Sequence, residues 1–400
     1  MKPAQQKTLC LIGSAGIPAR YGGFEYFVQC LCDINDVFKN LRLIVFCQSS
    51  LKVVPLSYKY TSRIFVDFNA NGFQSLIYDF ISLLIASFKA DIILLLGTST
   101  SFFLPIFKLI FFKNKYIVHY DGLEWRRDKW KHKNPLHPKS MAKYIYYISS
   151  VFSDKCADLI ISDNKGITDF LVNKRNVSSK KIVEIGYSSN PDLNIGEVTH
   201  SSDHVTFEAI SKGTIHINPH LCAFGICRIE PDNSVHTILE AYDKFLENRS
   251  PHNIKYLVFV GNFSSSSYGL GLIKKYSKRQ EFFLVDSCYD EKILTPLRRN
   301  CSLYIHGHKH GGTNPSLIQA MDQSKFISIH HNIYNISTMK NSQTFSWTTL
   351  DDIVDSFEKH DDYLSLSESS SLEVLNFRQS IIPSWKSIYD LVCEMTSNIC

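Results

Sequence analysis

Short apolar runs recur along this chain, each long enough for one strand and separated from the next by enough residues for a helix. Leu9–Ile12, Leu43–Cys47, Ile64–Phe68, Ile92–Leu96, Tyr116–His119, Leu159–Ser162 and Ile182–Ile185 form a first series. Leu221–Ile226, Tyr256–Val260, Phe282–Val285, Leu303–His306 and Phe326–Ile329 form a second. Near-continuous hydrophobic strands alternating with helices are what a parallel sheet covered on both faces requires. A chain of 400 residues also exceeds what one hydrophobic core organises. The expected fold class is therefore α/β, with two doubly wound, Rossmann-like domains facing a cleft. We expect an N-terminal domain over 1–200 and a C-terminal domain over 213–375, joined through the polar stretch Ser188–Lys212. Ser365–Ser371 reads as a loop. Over 376–400 a helix is expected, apolar at helical spacing through Trp385, Ile388, Leu391 and Val392 and packing back toward the N-terminal domain.

Composition narrows the function classes. The net charge of +5 is modest for this length, so it suits an anionic small ligand or an anionic membrane surface better than nucleic acid. The 11 cysteines show no paired zinc spacing, and Cys30 and Cys32 lie too close in sequence for a redox pair, so reduced cytoplasm is expected. Leu9–Ile12 is too short for the core of an export signal. The most apolar region, Leu76–Leu96, is interrupted by Asp79, Lys89 and Asp91, so no spanning helix is expected. Ser101–Lys113 is rich in Phe with Lys108, Lys113 and Lys115 about it, a composition that suits either a membrane interface or a buried helix.

The first strand is followed by Gly13-Ser-Ala-Gly16-Ile-Pro-Ala-Arg20-Tyr-Gly22-Gly23-Phe-Glu25. Paired glycines before a helix let backbone amides approach an anion at the positive helix end, as a diphosphate needs. The spacing is not the dinucleotide fingerprint Gly-x-Gly-x-x-Gly, which argues against an NAD enzyme, and a plain tight turn fits it too.

Four runs then occur in one order: GIPARYGGFE, DGLEWRRDKW from Asp121, CRIEPDN from Cys227, and HGHKHGGTNPSLIQAM from His306. Together they resemble the bacterial rhamnosyltransferase-type members of the retaining GT-B glycosyltransferases. The resemblance implies a GT-B fold, a nucleotide-sugar donor held mainly by the second domain, an acceptor held by the first, and neither divalent metal nor cofactor. The chain also lacks any Asp-x-Asp, the carboxylate pair with which metal-dependent transferases hold Mg²⁺ or Mn²⁺.

Without a metal, charge on a leaving diphosphate must be met by fixed cations and amide donors. Arg228, just after Leu221–Ile226, matches the phosphate-binding Arg that the resemblance implies; its planar fork fits two phosphate oxygens, although an ordinary surface pair with Glu230 fits it as well. The amides of Gly22 and Gly23 would complete the clamp. Thr313 and Asn314 would present amides to the phosphates at a helix start. The wider superfamily's second carboxylate, on the donor ribose, falls at Gln319, where an amide accepts a hydrogen bond without charge assistance. His306, His308 and His310 alternate but lack a nearby carboxylate or Cys, so a donor-pocket or structural role is preferred to a metal.

His119 and Asp121 stand at the end of the fifth run, Tyr116–His119. Asp121 is expected to orient the acceptor hydroxyl or donor sugar, and His119 to hydrogen-bond the sugar or to lie buried in the core. Glu124, Trp125, Arg126 and Arg127 are expected on the acceptor side, a Trp face stacking on sugar and the Arg pair meeting a lipid-linked pyrophosphate. The leading reading is transfer of L-rhamnose from dTDP-rhamnose to a lipid-linked oligosaccharide in O-antigen or capsule biosynthesis, in the cytoplasm or peripherally at the inner membrane face. A UDP- or GDP-dependent hexosyltransferase and a catalytically decayed sugar-binding scaffold are the alternatives.

Overall fold

The computed structural model describes residues 6–19, 22–51, 57–132, 134, 135, 137–189, 204–247, 253–340, 342, 344–360 and 368–399. They group into two compact units, one of Met1–Ser188, Gly311–Asn314 and Pro383–Cys400, the other of Ser189–His310 and Pro315–Ile382.

The first unit is built on an eight-stranded sheet. Its strands are β1 (Thr8–Ile12), β2 (Arg42–Gln48), β3 (Ser57–Tyr58), β4 (Thr61–Val66), β5 (Ile92–Leu96), β6 (Lys115–Tyr120), β7 (Leu159–Ser162) and β8 (Ile182–Glu184), in spatial order β3-β4-β2-β1-β5-β6-β7-β8. All neighbours run parallel except β3, which lies antiparallel to β4 at the edge. β1 and β5 are buried at every residue because helices cover both faces. Those helices are α1 (Gly23–Phe38), α2 (Ser75–Ser87), α3 (Leu104–Ile110), α4 (Pro138–Cys156) and α5 (Lys165–Arg175). The third expected strand, Ile64–Phe68, begins earlier in the structure, at Thr61. Polar Thr61 and Arg63 are buried there, Arg63 donating from Nη1 to the Ile17 carbonyl at 3.1 Å, so hydrophobicity alone placed the strand too late.

In the second unit six strands run parallel in the order β13-β12-β11-β14-β15-β16. They are β11 (Cys222–Ile226), β12 (Tyr256–Gly261), β13 (Phe282–Asp286), β14 (Leu303–His306), β15 (Ile327–His330) and β16 (Phe345–Trp347), preceded by a hairpin of β9 (Val205–Ala209) and β10 (Gly213–Ile217). The helices are α6 (Val235–Glu247), α7 (Ser267–Tyr276), α8 (Glu291–Asn300), α9 (Pro315–Gln323), α10 (Ile333–Met339), α11 (Leu350–Glu358) and α12 (Glu368–Ile381). The apolar face of α6 joins β12, β14 and α11 in one core, with Tyr242 and Phe357 rings 5.2 Å apart. Thr349 and Asp352 close a capping box at the start of α11, which satisfies orphan amides on both sides of its first turn.

Two loop readings change. Part of Ser188–Lys212, residues 190–203, lies outside the described residues, but Val205–Ala209 is a strand whose Val205, Phe207 and Ala209 turn inward while Thr206 and Glu208 face out. Ser369–Ser371, read as loop, belong to α12, with 365–367 outside the described residues. The described cysteines carry free thiols, and burial pushes that of Cys32 up to about 12, which leaves it unreactive.

The last helix, α13 (Trp385–Asn398), packs on α1 in the first unit. Trp385 meets Tyr26 and Phe27 at ring distances of 5.7 and 6.1 Å. The Tyr389 hydroxyl donates to Asn35 Oδ1 at 2.6 Å and accepts from the Asn40 amide at 3.2 Å. Asn35 in turn closes the turn after α1 through Leu41 N–H and C=O, so α13 secures the α1–β2 connection. Removing the buried indole in Trp385→Ala should cost the first unit about 3 kcal/mol or more. A fall in the urea midpoint, with faster hydrogen exchange across α1, is the expected result.

Candidate functional site

Strand order reverses at one place in each sheet. In the first unit the chain runs outward from β1 through β2 to β4, then returns to β5 on the other side of β1; in the second it runs from β11 to β13, then returns to β14 beside β11. At such a reversal the loops leaving the two central strands diverge, and the gap at their carboxyl ends is where open parallel sheets bind ligands. The loops concerned follow β1 and β5 in one unit and β11 and β14 in the other. They hold Gly22, Arg228, Thr313 and Asn314, whereas His119, Asp121 and residues 124–127 belong to the end of β6 and the loop after it.

In the first unit Gly13 leaves β1 at φ 93°, and a Cβ there would lie 2.5 Å from the Leu96 carbonyl oxygen, so only glycine lets the loop start this close to β5. The Glu25 carboxylate, in the first turn of α1, accepts from the Ala15 amide at 2.7 Å and folds the loop back over the helix start. Gly22 is the N-cap, in extended backbone open to any residue, and Gly23 begins the helix; Arg20 and Tyr21 lie outside the described residues. Phe24 and Phe27, one turn on, hold the His119 ring edge-to-face at 5.3 and 5.0 Å. His119 is fully buried, and burial pushes its imidazole down to about 3, so at neutral pH it is uncharged and available only as a neutral donor and acceptor. Gly22, Gly23, His119 and Asp121 thus come together at the carboxyl end of this sheet.

Asp121 is exposed just past β6, and Asp163 stands one residue past the neighbouring β7, where Tyr120 and Ser162 are in register. Asp163 was missed in the sequence, although Ser162-Asp163-Asn164 closing a strand was the available signal. It is buried, and burial, reinforced by the Asp121 charge, raises its carboxyl well above the usual range against the pull of the Thr313 amide. Gly312 packs onto it so closely that a Cβ would sit 1.8 Å from Oδ1. Thr313 donates its hydroxyl to the Asp163 carbonyl and accepts from Asn164 Nδ2 at 3.3 Å, with Asn314 half-buried beside it. The Thr313 hydroxyl is thus committed within the first unit, and Asn164 also caps α5.

The loop after Asp121 is more occupied than expected. Glu124 pairs with Lys129 at 2.6 Å and Arg127 at 3.4 Å and accepts from the Trp130 indole at 3.1 Å. Burial works to raise its carboxyl, but those cations and the indole outweigh it and hold it low. Trp125, expected to offer a face to sugar, is instead a packing residue: it is 7% exposed, with Tyr147 on its edge and the Arg175 guanidinium 5.2 Å from its ring centre. Of the four expected acceptor-side residues, only Arg126 is exposed, its guanidinium resting on Phe170 at 4.3 Å.

In the second unit Arg228 lies in the loop leaving β11, the loop at the reversal. Its carbonyl accepts from Asn233 Nδ2 at 2.7 Å, and the next amide, of Ile229, donates to Asn262 Oδ1 at 2.7 Å, so the backbone is held while the side chain stays 44% exposed. Glu230 approaches only to 3.9 Å, too far for a strong pair at an exposed position. The β14 loop is pinned to the same place: Lys309 N–H donates to the Asp232 carbonyl at 3.0 Å, and the His308 carbonyl accepts from Asn332 and Asn335 at 2.9 and 3.0 Å. This adds a cation that sequence reasoning missed inside the histidine-rich run. Lys309 is half-buried and makes no ion pair among the described residues; burial lowers the imidazoles of His236 and His330, and the Lys309 charge adds to it. His306 and His308 stack at 4.3 Å, and burial pushes His306 down to about 3, which makes it a neutral packing ring. Gln319, in α9, is half-buried.

The Asp163 carboxyl yields a signed test. Unfolded, it releases its proton near 3.8; folded, it keeps that proton to higher pH, so its favourable contribution is complete below 3.8 and is lost as pH rises. An amide needs no proton. Asp163→Asn should therefore melt above the parent by about 2 °C or more near pH 7.5, with the gap closing toward pH 4, in paired thermal melts.

Comparison with known proteins places this geometry. Residues 6–190 match a family described as a domain of unknown function (DUF1972). No curated protein matches the chain in sequence. Among solved structures, a glycosyltransferase from Rickettsia africae aligns over 99% of both chains at 12% identity, with a TM-score of 0.64. Sucrose-phosphate synthase from Thermosynechococcus elongatus covers 98% of this chain and 99% of its own at 11% identity, with a TM-score of 0.72. HepE of Anabaena, solved with UDP and glucose, covers 98% and 100% at 13% identity, with a TM-score of 0.61. Two parallel, doubly wound sheets, matched from end to end by these structures, give the chain the GT-B fold of glycosyltransferases.

Proposed function

We propose that the protein is a metal-independent, retaining glycosyltransferase that moves a sugar from a nucleotide diphosphate onto a lipid-linked saccharide. The observation that carries this is Arg228, held by its backbone yet loosely paired at its side chain, at the reversal of the second sheet with Lys309 on the adjoining loop. Two cations on fixed loops suit a departing diphosphate, because donors placed in advance need no reorganisation as charge develops. Solved structures of this fold with UDP and glucose, or with ADP and acarbose, support a nucleotide-sugar donor. L-Rhamnose from dTDP-rhamnose, for O-antigen or capsule assembly, is the donor to test first, on the strength of the four sequence runs; UDP- and GDP-hexoses are the competing donors. His119, neutral and buried, would hydrogen-bond the sugar, and Asp121, the exposed carboxylate of its group, would orient a reacting hydroxyl. In a retaining transfer of this kind the departing phosphate oxygen takes the acceptor proton, so neither residue need be a base. The amides of Gly22, Gly23 and Asn314 would add donors toward the phosphates, and Arg126 is the cation of its loop best exposed to a pyrophosphate-linked acceptor. The acceptor's lipid implies work at the inner face of the cytoplasmic membrane.

Donor binding to the native state raises the melting temperature by mass action. With EDTA present, dTDP-rhamnose should give an upward shift that Arg228→Ala abolishes; a shift that requires Mg²⁺ or Mn²⁺, or one that survives in Arg228→Ala, overturns the reading. Restoring a carboxylate in Gln319→Glu should tighten donor binding about fivefold, the gain of a charge-assisted over a neutral hydrogen bond to a ribose hydroxyl. Isothermal titration with both proteins checks it.

A further inference from the structure

More than half of the large apolar side chains exposed among the described residues fall between Ile77 and Ile148, in the first unit. They come from α2, the 3₁₀ turn at Ser99–Phe103, α3 and α4, with Phe88 and Phe112 just past the ends of α2 and α3. Phe88, Ile106, Leu109, Ile110 and Phe112 are the most open at 75, 62, 80, 61 and 71%, and Tyr144 on α4 follows at 59%. Ring contacts join the elements beneath: Phe80 to Phe107 at 5.8 Å, Phe88 to Phe111 at 5.0 Å, and Phe102 to Phe152 at 6.3 Å. The open side chains therefore belong to one continuous face rather than to scattered positions.

The exposed charges on that face are lysines apart from Asp91 at its edge. Lys89, Lys113 and Lys139 are exposed on or beside these helices. The only carboxylates within α2, 99–113 and α4 are turned inward: Asp79 is 2% exposed and accepts from the Ser99 hydroxyl, and Asp154, 9% exposed, faces Arg175 at 3.4 Å. Asp91 and Asp158, just outside, accept from the Thr8 amide and from Lys108 with the Tyr116 amide. A second copy is a poor occupant, because a two-fold interface would set these lysines against their own equivalents, with Asp91, already accepting from the Thr8 amide, the one exposed acid beside them among the described residues. A bilayer with anionic headgroups meets both properties at once, taking the aromatic and aliphatic tips at the acyl boundary and the ammonium groups at the phosphates.

We infer that the combined face of α2, α3 and α4 is a docking surface for an anionic phospholipid bilayer, far wider than the segment 101–113 picked out by composition. It deepens the lipid-linked acceptor reading and rests on it for its purpose. The test is co-sedimentation of the full chain with vesicles of phosphatidylcholine alone or mixed with phosphatidylglycerol at about two to one. The parent should pellet with the mixed vesicles and at least about tenfold less with the neutral ones or at high salt. Leu109→Asp/Phe112→Asp, at positions too exposed to matter for folding, should lose binding by a similar factor, while Leu270→Asp, an exposed position of the second unit, keeps it. Circular dichroism and transfer to a water-soluble acceptor should be unchanged in the double variant. No binding by the parent, equal binding to neutral vesicles, undiminished binding by the double variant, or a stable dimer in its place would each overturn the inference. Transfer activity, scored separately on the soluble acceptor, reports on the enzymatic reading whatever the vesicles do.

Discussion

The architecture depends on parallel pairing of strands that are buried on both faces. A parallel strand cannot turn straight back into its neighbour, so every pair needs a crossover, and each crossover helix must bury an apolar stripe against the sheet. That requirement leaves little freedom in how the chain proceeds, except at the one point in each sheet where it reverses direction. There the loops part, and a glycine such as Gly13 allows an approach that a side chain would block. Gly22 and Arg228 sit in loops at those points, while His119, Asp121 and Asp163 line the carboxyl ends of β6 and β7.

A common thread in the site is that charge is managed by burial as much as by pairing. His119 and His306 are stripped of charge by their surroundings, and Asp163 is pressed to keep its proton. Glu124 takes the opposite course and is held ionised by Lys129 and Arg127. What remains open is a short set, Asp121, Arg126 and Arg228, with Lys309 partly so. Within each unit, open charges can meet ligand while neutral rings shape the walls.

Much of the fold was legible because hydrophobic period and strand length are local properties. The long buried strands, β1, β5 and β12 among them, announce themselves by runs that no exposed segment could carry. Strands that escaped notice are the short or mixed ones: β16 has three residues, β3 two, and β9 alternates in a segment whose overall polarity hides its period. The site was legible in part. Arg228 and the glycine loop stand out by motif, whereas Asp163 and Lys309 gain their interest only from neighbours brought close by folding. Trp125 shows the reverse error, because an aromatic next to two arginines reads as a platform until Arg175, fifty positions on, is found covering it.

The last helix returns to the unit in which the chain began. On a ribosome, the half whose strands emerge first therefore waits for residues 385–398, since α13 covers Trp385's partners on α1 and fixes Asn35 and Asn40. The half translated second holds all of its own strands and helices before that point. Vectorial synthesis thus supplies the second unit in full before the first, and a gene fragment cut at the matched family's boundary would encode a domain missing the helix that covers α1.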